Sequence, residues 1–333
     1  MVERSVDRIR PGVKSGSDPL RSPVMVWRAS EPGACVAITA NVHGDELTGI
    51  SVIHELERWL PSHLCCGTVL LYPSVNPVGL AAFSRGVGAQ GGDLNRVFPG
   101  GGRGVADRLA GALWEDLHQR RPDALIDIHA DSTDSIPYAI LDRPILVPAD
   151  VRSLFEAEIA AIGQAMGVTV LQDYGDADYR RFGLDRSLTG AAVNQWRIPA
   201  VTLEVGPRRA VDPSAVKAAV GVVQNVLVHL GLAQGPKLIH PSRLSGGPWT
   251  RSTAIRASTE GFFRNYLPAG ATFRNQEAIG EMVSLSGELV ETILSPTEGI
   301  VVSWSDRRWL TPGSSVGTFG FVESTLEQTG STA

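Results

Sequence analysis

Apolar positions follow two alternating rhythms up to about residue 232 and a single one thereafter. Ala34–Ala40 (ACVAITA), Thr68–Val75 (TVLLYPSV), Ala124–His129 (ALIDIH), Val168–Leu171 and Ala200–Val205 (AVTLEV) are short apolar runs of strand type. Between them apolar residues recur at helical spacing. Leu47, Ile50, Ile53, Leu56 and Leu60 predict a helix over Glu46–Leu60 that stops before Pro61. Val105, Leu109, Leu113 and Leu117 predict another over Val105–Arg121. Val151–Gly167, Ser187–Trp196 and Pro213–Leu232 complete the set, the last with proline in its first turn. Strands alternating with helices predict an α/β fold, a mostly parallel or mixed sheet flanked by helices. Residues 1–33, mixed and rich in Pro, Gly and Ser, read as an entry segment with one edge strand at Val24–Arg28. The main domain is expected to span 34–234.

After Leu232 the helical rhythm stops. Residues 235–248 are rich in Gly, Pro and Ser and read as a linker. Short alternating segments broken by glycine follow, among them Met282–Leu285, Glu288–Leu294, Ile300–Trp304 and Val316–Val322. They predict a small all-β domain over 249–325, with a disordered tail at 326–333.

Apolar residues make up 43% of the 333 positions and charged residues 20%, enough to fill a core and too apolar for a disordered chain. The formal net charge of −5 offers no general attraction to nucleic acid or to an anionic membrane. No apolar run approaches the ~18 residues of a membrane span, and the first twenty residues lack the apolar stretch of a secretory signal. Three cysteines, Cys35, Cys65 and Cys66, make no disulfide framework and suit a reducing cytoplasm.

Chemistry-bearing residues gather where strands end. Asn41-Val-His43-Gly-Asp-Glu46 lies between the first strand and the helix after it. His43 and Glu46, three apart at a helix start, can face one way as metal ligands or can simply cap the helix. Asp127-Ile-His129 ends another apolar strand, where a carboxylate and an imidazole need partners; a satisfied core histidine is the other reading. Together His43, Glu46 and His129 make a His₂Glu set, the donor count of a catalytic zinc that keeps one position open. Asp93-Leu-Asn95-Arg96 brings an amide beside a guanidinium, able to fork onto a carboxylate or to be a solvated turn. Glu204, flanked by Leu203 and Val205, is a carboxylate whose pKa burial would raise towards general-base duty, unless it faces water at an edge. No P-loop occurs.

In that order His43-x-x-Glu46, Asp93-Leu-Asn-Arg96, Asp127-Ile-His129 and Glu204-Val-Gly206 resemble the succinylglutamate desuccinylase/aspartoacylase family of zinc carboxypeptidase-like amidohydrolases, over about residues 34–325. The resemblance implies one zinc per chain on His43, Glu46 and His129, with Glu204 as general base and Asn95 and Arg96 on a substrate carboxylate. The family's carbonyl-polarising arginine follows an Asn-Pro pair in true aspartoacylases. Here Val78 holds that place, and Arg85 is the stand-in. Asp131 adds a carboxylate near the metal, to orient a ligand or to meet a cationic substrate group. The implied activity is deacylation of a small N-acyl amino acid or related amine, with a peptide carboxypeptidase or a non-catalytic binding protein as alternatives. The C-terminal domain would be barrel-like; no lysine follows Lys237, so it carries no lipoyl or biotinyl group, and it walls the cleft or builds a homo-oligomer.

Overall fold

The structure, a computed structural model, describes residues 1–9, 14–15, 18–19, 22–88 and 91–322. The tail expected at 326–333 lies outside the described residues. Chain order is β1 (Val2–Ile9), β2 (Lys14–Ser15), β3 (Asp18–Pro19), β4 (Ser22–Ala29), β5 (Cys35–Ala40), α1 (Thr48–His63), β6 (Thr68–Tyr72), α2 (Pro77–Ala82), α3 (Val105–Arg120), β7 (Ala124–His129), β8 (Tyr138–Leu141), α4 (Ala149–Ala165), β9 (Thr169–Gln172), α5 (Asp176–Arg181), α6 (Leu188–Ala191), β10 (Ala200–Glu204) and α7 (Pro213–His229). Then come β11 (Trp249–Ser252), β12 (Gly261–Asn265), β13 (Thr272–Phe273), β14 (Ala278–Val283), β15 (Leu289–Leu294), β16 (Gly299–Trp304), β17 (Trp309–Leu310) and β18 (Gly317–Phe321).

One mixed sheet runs β1-β4-β6-β5-β7-β10-β8-β9-β11-β18-β16-β13. Its centre is parallel: β5 pairs with β6 on one side and β7 on the other, and β7 with β10. Every residue of β7 is buried, although successive side chains point to opposite faces, so both faces of the sheet are covered there. The chain leaves β5 towards β6 and later returns to β5's other side as β7. That reversal opens a crevice at the carboxyl ends of β5 and β7, where open α/β sheets bind ligands.

Three details differ from the periodicity reading. The strand at Ser22–Ala29 is not the edge, because β1 pairs antiparallel outside it from Val2↔Ala29 to Ile9↔Ser22. The charged residues of VERSVDRI hid that strand; exposed along most of its length, they suit an edge that must not pair further. The first helix starts at Thr48 and runs through Pro61 to His63. Proline removes one N–H, but Leu64 N–H still reaches Leu60 O at 3.0 Å, and both leucines are buried, so packing carries the last turn. The C-terminal strands also split. β11, β18, β16 and β13 extend the main sheet through parallel β9–β11 pairing, while β15-β14-β12-β17 form a second, antiparallel sheet. Phe263, Phe273, Met282, Trp304 and Phe319 form a separate core there.

Candidate metal centre and its cavity

The β5–α1 loop is built to aim two side chains. Asn41 takes a left-handed conformation (φ 61°), and its Nδ2 donates to the carbonyls of His43 and Glu46 at 3.0 and 3.1 Å. Ser74 Oγ in turn donates to Asn41 Oδ1 at 2.7 Å. At Gly44 the loop passes so close to α2 that a Cβ would lie 2.0 Å from the Gly79 carbonyl carbon, so no other residue fits. His129 arrives from the last position of β7.

These elements bring His43, Glu46 and His129 together, all buried, with ligand atoms within 4.8 Å of one another. His43 Nδ1 stands 2.8 Å from Glu46 Oε1 and 3.2 Å from His129 Nδ1, and His129 Nδ1 stands 2.9 Å from Glu46 Oε2. Ligands of a tetrahedral site with bonds near 2.0–2.1 Å sit about 3.3 Å apart, so the two Nδ1 atoms and the Glu46 carboxylate already approach one face of such a shell. His129 Nε2 lies 2.8 Å from Asp127 Oδ2, whose other oxygen accepts from Thr39 Oγ1 at 2.7 Å. With Nε2–H committed to Asp127, a neutral His129 offers its Nδ1 lone pair to the cluster. Burial alone would depress the His129 imidazolium, but Asp127 and Glu46 outweigh it and hold the pKa well above the ordinary value. Burial alone would raise Glu46; His43 and His129 instead hold its carboxyl well below the usual range. The cluster is therefore a place that favours positive charge, and its donor set fits a metal ion.

The remaining expected residues line the same cavity, of about 180 Å³. Glu204 ends β10 with His129 as its parallel register partner and Tyr138 opposite it on β8. Among the described residues its buried Oε2 has no hydrogen-bond partner. Burial pushes its carboxyl up to about 7; His129 pulls against this, and Glu46 and Asp131 add to it. Arg85 bonds Asp93 Oδ2 through Nε and Nη2 at 3.3 and 3.1 Å, and its Nη1 comes within 3.3 Å of His43 Nδ1. Asn95 spends Oδ1 on the Leu188 N–H at 2.8 Å, and Arg96 Nη1 donates to the Asn95 carbonyl at 2.6 Å. Asp131 accepts from Tyr138 at 2.8 Å and faces Arg208, whose Nε donates to the Asp131 carbonyl.

Several residues in or behind the cavity went unassigned in the sequence. Asp127 was visible in its motif but without a role. Arg208 follows Glu204 by four positions, a spacing that could have suggested it. Asp142 and Asp173, each following a strand, line the cavity. Burial, then Asp173, pushes Asp142 up to about 7, and the Tyr179 hydroxyl donates to it at 2.6 Å. Arg251 comes from beyond the linker and had no local signal.

The profile of the succinylglutamate desuccinylase/aspartoacylase catalytic domain matches residues 32–230, more than half of the chain. The chain belongs to that family. Among its relatives, the N-alpha-acetyl-L-2,4-diaminobutyric acid deacetylase of Halomonas elongata is 26% identical over 216 residues, 64% of this chain and 59% of that protein. The chain thus spans about three fifths of that curated relative's length. A family structure from Rhodobacter sphaeroides superposes with a TM-score of 0.79 at 23% identity, covering 96% of this chain and 95% of the other. The product-bound ectoine utilization protein EutE (DoeB) of Ruegeria pomeroyi gives 0.76 at 20%, over 96% and 95%. A metallo-carboxypeptidase from Burkholderia cenocepacia gives 0.53 at 18%, over 68% and 65%. The fold is thus the family's own and is carboxypeptidase-like. No helix among the described residues is long and apolar enough to cross a membrane.

Proposed function

We propose that the chain is a zinc-dependent cytoplasmic deacylase that hydrolyses the amide of a small N-acyl amino acid. One observation carries the reading: three converging ligands stand in one cavity with Glu204, whose buried Oε2 has no hydrogen-bond partner among the described residues. A relative that deacetylates an amino-acid derivative supports it. His43, Glu46 and His129 would hold the zinc, which when bound supplies Lewis acidity to the substrate carbonyl and to water. Glu204 takes a proton from the attacking water and returns it to the departing amine. Arg85, held by Asp93 beside His43, donates to the carbonyl oxygen as it gains charge. Asn95 has Nδ2 left for substrate, and Arg96 completes a fork for a carboxylate. Asp131, already carrying Tyr138 and facing Arg208, orients that wall of the cavity.

The test is a screen of acetyl and succinyl amino acids with zinc-loaded and metal-stripped protein. Turnover that needs zinc is expected. No turnover by the zinc form, or faster cleavage of peptides than of acyl amino acids, overturns the reading. Converting the substrate's carboxylate to a carboxamide should cost about 1.5–3 kcal/mol in kcat/KM, the range for a hydrogen bond to a charged group. That is roughly ten- to a hundredfold; equal kcat/KM for acid and amide would remove the carboxylate fork.

A second expectation concerns Asp127, which touches His129 but not the ligand face. Asp127→Asn keeps the size but loses the charge behind the imidazole. Zinc affinity, measured by competition with a chelator, should fall 10–100-fold. An unchanged affinity would mean that Asp127 only satisfies Thr39.

A further inference from the structure

Among the described residues, Arg251 is the one lining the metal cavity that comes from the chain after Leu232. It follows Thr250, which pairs in parallel register with Gln172, so its side chain starts beside Asp173 on the rim of β9. From there it reaches inward. Its guanidinium lies 5.0 Å from the centre of the Tyr174 ring, and Nη1 is 3.4 Å from Asp173 Oδ1. That long contact is its one hydrogen bond among the described residues. Nε is buried with no partner among those residues, and the side chain as a whole is 20% exposed. Asp173 Oδ1 is already taken by the Tyr174 N–H at 2.9 Å.

A guanidinium carries five donors, and taking one out of water is costly unless acceptors replace the lost solvent. Packing does not require this charge, since Leu or Met would cover the Tyr174 face as well. The same cavity wall carries Arg96, which burial, and then Arg85 and Arg251, press below its ordinary value against the pull of Asp93 and Asp173. Arg85 and Arg208 and the carboxylates of Glu46, Asp131, Asp142, Asp173 and Glu204 share that lining, but Arg251 Nε bonds none of them, so Arg96 and Arg251 together can receive an anion.

We infer that Arg251, delivered by the C-terminal β segment, reads a substrate carboxylate together with Arg96, so that the C-terminal unit sets specificity as well as walling the cavity. The inference rests on the deacylase reading above for the identity of the ligand. An N-acyl amino acid brings an α-carboxylate, and a dicarboxylic acyl group brings another. Both suit the planar fork of an arginine. Arg251 thus acts as a binding residue away from the bond that breaks.

The experiment compares wild type, Arg251→Gln and Arg251→Lys on matched probes. One arm uses the N-acetyl amino acid that wild type turns over fastest and its carboxamide. The other uses the N-succinyl and N-butyryl derivatives of the same amino carboxamide. Arg251→Gln should lose about ten- to a hundredfold in kcat/KM, mostly through KM, on one carboxylate-bearing probe and less than about twofold on its neutral partner. Arg251→Lys should recover part of that loss. The arm showing the selective loss identifies which carboxylate is read. Equal losses on acid and neutral probes would make Arg251 a prop for Asp173 and Tyr174, and no loss on any probe would make it a bystander; either overturns the inference. Calorimetric titration of the same probes gives a readout that needs no turnover. If wild type hydrolyses nothing, the deacylase reading fails by itself, and carboxylate-selective binding that vanishes in Arg251→Gln still supports the receptor. Binding indifferent to the substitution sinks it.

Discussion

Glu204→Gln is expected to leave the fold and the metal content intact while turnover falls by roughly 10²–10⁴, the usual weight of general acid–base catalysis. The side chain ends β10 beside His129, and among the described residues its buried Oε2 has no hydrogen-bond partner that glutamine would forfeit. Burial raises the carboxyl to about 7, with Glu46 and Asp131 adding to the effect and His129 and Arg251 opposing it. A group poised there can hold a proton taken from water and yield it to an amine in the same turnover. Glutamine keeps the shape and cannot accept the proton. The measurement is kcat for both proteins after zinc loading, with melting temperature and elemental analysis as controls. A loss under about tenfold would pass the base role to another carboxylate, for which Asp131 in the same cavity is the candidate.

His129→Ala should have the larger effect on the metal. Bound zinc is expected to fall from about one per chain to near none, and activity with it. Alanine removes one of three ligands and also strips Asp127 of its imidazole, leaving that fully buried carboxylate with Thr39 alone. Breaking a buried charged pair costs about 3–5 kcal/mol, so the variant should also melt earlier. His43→Ala separates the two effects, because Asp93, 3.3 Å from His43 Nε2, is partly exposed, and buried Glu46 keeps His129 and the Ala130 N–H as partners. It should lose zinc with a smaller drop in melting temperature. Undiminished zinc in both variants would remove the His₂Glu assignment.

Much of this was legible in order along the chain. Local period marks burial, and burial marks strands and helices, so β5, β6, β7, β9, β10, α1, α3, α4 and α7 could be read directly. Polar residues at the ends of apolar strands stand out because such positions need a reason, which is why His43, Glu46, His129 and Glu204 could be named. Pairing across long stretches leaves no local trace. That β7 docks on the far side of β5 decides that His43 and His129 meet, and nothing near either residue encodes it. The edge strand β1 was hidden by charges that an edge tolerates, and Pro61 failed to end α1 because buried leucines hold the last turn. The sequence by itself determined the class of fold, the donor types and the acid that could serve as base, because these follow from residue chemistry and period. Only the tertiary structure decided that Asp127 backs His129, that Glu204 Oε2 lacks a partner among the described residues, and that β11 adds to β9 and carries Arg251 into the cavity. Those outcomes depend on register and closure between segments far apart in the chain, which the whole sheet sets at once.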